Sequence, residues 1–85
     1  MKKFVFKNLY AGPDSIGRLL VVGKKVRFYP IEGLGLRDAA YACFVLINQQ
    51  KLPVVMKFNS VKIKVPYDEK ITTQQIMNLY FDLSR

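Results

Sequence analysis

The stretch VVMKFNSVKIKV, residues 54 to 65, alternates apolar and other side chains on both sides of Asn59-Ser60. Alternation with a period of two predicts strands, and the short polar centre predicts a tight hairpin. That pairing sets Lys57 directly opposite Lys62, with Lys64 next along the same face. Like charges that face each other across two strands destabilise a sheet, by about 0.2–1 kcal/mol. A small protein that places lysines in this way needs a reason to do so.

Three other segments have strand or turn patterns. Alternation in KKFVFKN, residues 2 to 8, predicts a first strand, and residues 11 to 17 contain the Gly, Pro, Asp and Ser that favour a loop. Residues 18 to 29 predict a second hairpin around Gly23-Lys24, because a two-residue type II′ turn takes glycine at its first central position. The alternation gives this hairpin one face that contains Leu19 and an opposite face that is rich in Lys and Arg.

Two helices are expected in addition. One runs from about Leu36 to Gln50, ahead of Pro53, and its apolar residues extend nearly all round, so we expect it to lie on the sheet with a second side covered. The other starts after Thr72, which has capping-box spacing with Gln75. Its apolar stripe is predicted to pack on the core; the stripe consists of Ile76, Leu79, Tyr80 and Leu83.

These elements predict one domain over residues 1 to 85 with an α+β fold. The predicted order is β-ββ-α-ββ-α, in two layers. The sheet is expected to have five, mostly antiparallel, strands with both helices on one of its faces.

The charge is unevenly distributed along the chain. Formal net charge is +8, from 14 Lys and Arg against 6 Asp and Glu. The three predicted strand regions, residues 2–7, 18–29 and 54–65, contain no Asp or Glu, so all acidic residues fall in predicted loops or helices. A one-sign field is therefore expected on the uncovered face of the sheet.

This pattern predicts an anion-binding face whose cations would contact phosphates, with Tyr29 available to stack on a base. The predicted anion-binding residues are Arg18, Lys25, Arg27, Lys57, Lys62 and Lys64. The ligand class is nucleic acid or nucleotide. An alternative is that the lysines only prevent sheets from pairing edge to edge.

A protein–protein module is the alternative function. The cations would then steer association with an acidic protein, as expected of an inhibitor or adaptor, while apolar residues anchored the contact. A homodimer is compatible with this interpretation. The candidate anchors are Leu20, Val55, Met77 and Phe81.

A second anion site is predicted at the start of the first helix. Gly33 and Gly35 precede the helix and Arg37 lies in its first turn. Backbone N–H groups at a helix start attract anions. The same two glycines are also explained by turn geometry.

Catalysis, metals and cofactors have no support in the sequence. The chain has no histidine, and its one cysteine, Cys43, lies in an apolar run. We therefore expect a non-enzymatic protein without a metal or cofactor. Neither the start MKKFVFKN nor the apolar run around Cys43 is long enough for a signal peptide or a membrane span, so a cytoplasmic location without membrane insertion is predicted.

The segment MKFNSVKIKVPYDEKITTQQIMNLY, residues 56 to 80, resembles the ending of many small bacteriophage and mobile-element accessory proteins. These often close with Phe-Asn, an alternating strand and a Thr-started helix that contains a Tyr. The resemblance covers under a third of the chain. It implies an accessory role inside a bacterial cell and no particular activity.

Overall fold

The structure is a computed structural model that describes residues 7–11 and 14–84. This part of the chain forms five strands and two helices. In chain order they are β1 (Lys7–Ala11), β2 (Asp14–Val22), β3 (Lys25–Pro30), α1 (Leu36–Gln50), β4 (Val54–Phe58), β5 (Val61–Val65) and α2 (Thr73–Leu83). The predicted α+β class is confirmed.

The strands form one sheet in the order β1-β2-β3-β4-β5. Three of its neighbouring pairs are antiparallel, but β3 and β4 run parallel. A hairpin reverses the chain, whereas the helical connection through α1 brings the chain back to start β4 in the same direction as β3. The sheet is therefore mixed, a detail that the predicted pattern of strands did not specify.

Two tight turns set the register of the hairpins. Asn59 and Ser60 both have positive φ, 49° and 64°, as a type I′ turn requires. Gly23 has φ 60° and begins the turn between β2 and β3, where Val22 pairs with Lys25. The two-residue hairpins and their predicted faces are therefore confirmed.

The beginning of the chain departs from the prediction. Most of the predicted first strand, residues 2 to 8, lies outside the described residues, and β1 begins only at Lys7. The predicted loop over residues 11 to 17 is wrong, because β2 already begins at Asp14. Asp14 therefore belongs to a strand, which corrects the expectation that every acid falls in a loop or helix.

The first half of β2 contains residues typical of turns, and it also contains an irregularity and a close approach to β3. The register between β1 and β2 shifts between Leu9 and Tyr10, so this pairing contains an irregularity of the β-bulge kind. Gly17 lies beside it with φ 153°, paired with Pro30. A Cβ at Gly17 would come within 2.6 Å of the Tyr29 carbonyl oxygen, so β2 and β3 approach each other here at a distance that only glycine permits.

The core lies between one sheet face and both helices. Residues on alternate positions of the strands, such as Phe28, Met56 and Ile63, are fully buried, and they join one cluster with residues of α1 and α2. α1 packs on β3, β4 and α2, which provides the second covered side expected for it, and α2 packs on β5. No described element covers the opposite face of the sheet along β3, β4 and β5.

The closing helix is placed by its cap and by part of the predicted stripe. Thr72 and Gln75 form the predicted capping box, with Gln75 N donating to Thr72 Oγ1 at 3.2 Å and Thr72 N donating to Gln75 Oε1 at 2.9 Å. Ile76 is fully buried. Leu83 was predicted to pack on the core but is 56% exposed, because it lies in the last turn, beyond the part of α2 that covers the sheet.

Candidate anion-binding face

All six predicted anion-binding cations lie on the side of the sheet opposite the main core, and each is solvent-exposed. Tyr29 shares that side and is half-buried. We call this surface the cationic face; it consists of Arg18, Lys25, Arg27, Tyr29, Val55, Lys57, Lys62 and Lys64. The segregation predicted from alternation thus holds for β3, β4 and β5, which contain no Asp or Glu, whereas β2 carries Arg18 but begins at Asp14.

The pairing of the strands arranges the cationic face in tiers across the sheet. The first tier contains Lys57, which pairs with Lys62. The second tier lies two residues earlier along β4, where Val55 pairs with Arg27 on one side and with Lys64 on the other. Phe28 and Met56 are the last paired residues of β3 and β4, so Tyr29 and Lys57 follow them at the same level, and both line one depression.

The remaining cations extend these tiers at their ends. Arg18 pairs with Tyr29 and so completes the first tier on β2. Lys25 lies two residues before Arg27 on β3 and forms a third tier, next to the backbone of Pro53, whose carbonyl oxygen accepts from Val26 N at 2.9 Å. A strand rises about 3.3 Å per residue, so successive tiers are about 6.7 Å apart.

Two shallow depressions follow this arrangement. One has a volume of about 350 Å³ and is lined by Arg27, Tyr29, Val55, Lys57 and Lys62. The other, of about 310 Å³, has Lys25 and Lys64 in its lining together with Pro53 and Pro66. Val55 lines both depressions, so they adjoin at this residue.

The position of Val55 between two cations was not predicted from the sequence. Alternation puts it on the lysine side of β4, but only the parallel pairing of β3 with β4 sets it between Arg27 and Lys64. Pairing between distant strands is not encoded in any local pattern. If β5 and not β4 lay beside β3, Arg27 and Val55 would not be neighbours.

Five of the six cations of this face are not paired with carboxylates within the described part of the chain. Lys25, Arg27, Lys57, Lys62 and Lys64 form no salt bridge there. Side chains of one sign are therefore held close together while their charges stay available to a ligand. Such an arrangement raises the local potential and attracts anions.

The turn of the β4–β5 hairpin is fastened to the helix layer. The Phe58 and Tyr80 rings meet edge to face, with centroids 5.3 Å apart and an interplanar angle of 84°. Asn59 Nδ2 donates to the Tyr80 hydroxyl at 3.4 Å. These contacts connect the end of β4 and its turn to α2 on the core side of the sheet.

The predicted helix-start site contains a carboxylate of its own. Gly35 is the N-cap of α1 without a side-chain capping bond, and Gly33 has φ 88°. Asp38 lies in the first turn, and its Oδ2 would be 3.9 Å from a Cβ at Gly35. A negative side chain at this end already interacts favourably with the helix dipole and repels a second anion. Arg37 is exposed, and binding at this position stays a prediction.

The four apolar anchors of the alternative function differ in exposure. Leu20 is only 7% exposed and so is not available as an anchor, contrary to the prediction. Val55 is half-buried, and Met77 packs against the core. Phe81 is 49% exposed at the end of α2, beside Leu83.

Three other features of the described residues bear on function, namely the thiol, clusters of metal ligands and the length of the helices. Cys43 is fully buried, and burial raises the pKa of its thiol to about 12. No group of three or more His, Cys, Asp or Glu side chains is placed to hold a metal ion in the described part. Neither described helix has the length and apolar character needed to cross a membrane.

Comparison of the chain with protein-family models, with curated proteins and with solved structures finds no match.

Proposed function

We propose that the protein is a non-enzymatic binding module whose cationic face holds an anionic ligand, nucleic acid or nucleotide. The observation that supports this proposal most is the opposition of Lys57 and Lys62 beside Arg27 and Lys64, on strands whose other side forms the core. Phosphates bound between these side chains would offset their mutual repulsion.

Charges at the edge of the sheet alone do not account for this arrangement. Lysines that prevent edge-to-edge pairing are needed on an outer strand such as β5. Arg27 and Lys57, however, lie on β3 and β4, which have neighbours on both sides. Cations on interior strands favour a ligand over protection of an edge.

Salt dependence tests the proposal. Anisotropy of a fluorescent oligonucleotide, RNA or DNA, should rise on addition of the protein at low salt, and affinity should fall steeply as salt is added. Lys57→Gln and Lys62→Gln should each weaken binding several-fold, whereas Lys70→Gln, which removes one charge from the loop before α2, should not. Absence of binding to RNA, DNA and cyclic nucleotides would refute the proposal.

The alternative is a module that docks on an acidic protein, and the exposure of Phe81 and Leu83 favours it. Phe81→Ser would then abolish a specific complex that survives nuclease treatment of a bacterial lysate. The same substitution would leave nucleic-acid binding by the cationic face unchanged. The resemblance to bacteriophage accessory proteins fits either function inside a bacterial cell.

A further inference from the structure

The tiers of the cationic face have a spacing that suits an extended nucleic-acid strand. The spacing along the strands is about 6.7 Å between the tier of Lys57 and Lys62 and the tier of Arg27 and Lys64. The tier of Lys25 follows after the same spacing. Successive phosphates of an extended strand are separated by a similar distance. Three tiers together cover about 13 Å, which is more than one mononucleotide phosphate group occupies.

An apolar and aromatic centre lies between these cations. Tyr29 and Val55 line the same depression, whose other walls are Arg27, Lys57 and Lys62. A base can stack on such a surface, and the stacking requires that the base be unpaired. A ligand that is only a string of phosphates makes no use of this centre.

A duplex does not fit the same surface. The major groove of B-DNA is about 12 Å wide and admits a helix or a two-stranded ribbon. The cationic face extends over β2, β3, β4 and β5, whose three spacings amount to roughly 14 Å. A sheet this broad lies against a duplex from outside and reaches only its nearest phosphates.

We propose that the ligand is single-stranded nucleic acid, with its backbone along β4. This inference rests on the proposed function. Successive phosphates of the strand contact the three tiers in turn, and one base stacks on Tyr29 beside Val55. The backbone passes through the two depressions that adjoin at Val55.

The test compares three probes on the wild-type chain at equal salt. They are a labelled oligothymidine or oligouridine of about 12 nucleotides, a duplex of the same length, and inorganic polyphosphate as a competitor. The single strand should bind about tenfold more tightly than the duplex. The DNA and RNA arms show which sugar is preferred, and a preference for either single strand over the duplex supports the proposal.

Variants separate stacking from charge. Tyr29→Leu should lower single-strand affinity about tenfold while polyphosphate binding stays unchanged, and Tyr29→Phe should keep the affinity. Lys25→Gln should weaken binding of a long strand and leave a dinucleotide unaffected. Each lysine removed should reduce the dependence of log affinity on log salt by about 0.7.

The outcomes distinguish the two proposals. Equal affinity for single strand, duplex and polyphosphate in the wild-type chain would overturn the single-strand inference but keep the anion-binding function. Failure of all three probes to bind would overturn the single-strand inference, and failure of cyclic nucleotides to bind as well would overturn both proposals. The comparison of probes uses the wild-type chain, so it does not depend on the folding of any variant.

Discussion

Lys57 lies directly opposite Lys62 across the β4–β5 hairpin, and both side chains are exposed. Neither forms a salt bridge within the described residues. The pair therefore costs the folded protein stability that a neutral or oppositely charged pair would not. A binding face that is destabilising without its ligand is expected to show this in a trade between stability and affinity.

Lys62→Glu should stabilise the protein and weaken its binding together. It replaces a like-charge pair by an opposite-charge pair, with an expected gain of about 0.5–1 kcal/mol. For a domain of this size, Tm should rise by roughly 2–8 °C at low salt. Calorimetry and oligonucleotide binding measure the two effects, and Lys70→Glu is the matched control for net charge. A variant that loses stability would contradict repulsion between the two lysines.

Ser60→Gly should also stabilise the hairpin. Ser60 has φ 64°, a left-handed conformation that glycine adopts without strain, and Asn-Gly is the preferred pair for a type I′ turn. The expected gain in unfolding free energy is about 0.5–1 kcal/mol, measured by urea denaturation. Ser60→Ala removes the same hydroxyl while keeping a Cβ, and should show no such gain.

Gly17→Ala should be strongly destabilising. The new Cβ would lie 2.6 Å from the Tyr29 carbonyl oxygen and 2.9 Å from Pro30 Cα, so backbone would have to move. We expect a loss of about 3 kcal/mol in urea denaturation.

Gly33→Ala is the control for this change, since Gly33 also has positive φ, 88°, but its Cβ would meet open space. Its loss should be about 1 kcal/mol. Equal losses for both variants would show that strain in φ, and not the close approach of β2 to β3, requires Gly17.

Buried Cys43 should make stability fall in alkali. Its thiol stays protonated in the folded state up to a pKa of about 12, whereas the unfolded thiol ionises near its ordinary value. Unfolding therefore releases a proton between these values, and the free energy of unfolding decreases by about 1.4 kcal/mol per pH unit.

The difference in unfolding free energy between wild-type and Cys43→Ala isolates this contribution, because the lysines and tyrosines titrate in both chains. Wild-type should lose about 1.4 kcal/mol more than the variant between about pH 8 and about pH 10, because the unfolded thiol passes from mostly protonated to mostly ionised over this range. Parallel decreases in the two proteins would mean that the thiol does not contribute.

Local pattern predicted a large part of this fold. Alternation and turn chemistry gave the hairpin at Asn59-Ser60 with its register, and Thr72 with Gln75 gave the start of α2. The faces of β3, β4 and β5 follow from the same alternation, so the side of each cation was predictable.

Three features were not predictable from local pattern. The parallel pairing of β3 with β4, which brings Arg27 beside Val55, is a contact between distant segments. The start of β2 at Asp14 was not predicted, because residues typical of turns lie inside this strand. They occur there together with a bulge-type irregularity and a close approach of β2 to β3 at Gly17. The burial of Leu20 on the side opposite the main core was also missed, since alternation gives the side of a residue but not what covers it.

The central claim is that ligand binds on the cationic face, and backbone amide chemical shifts report this most directly. Titration of ¹⁵N-labelled protein with a single-stranded oligonucleotide should shift the amides of Arg27, Tyr29, Val55, Lys57, Lys62 and Lys64 most. Amides on the outer side of α1 and α2 should move little. Shifts concentrated on the helices around Phe81, or none at low salt, would contradict the account.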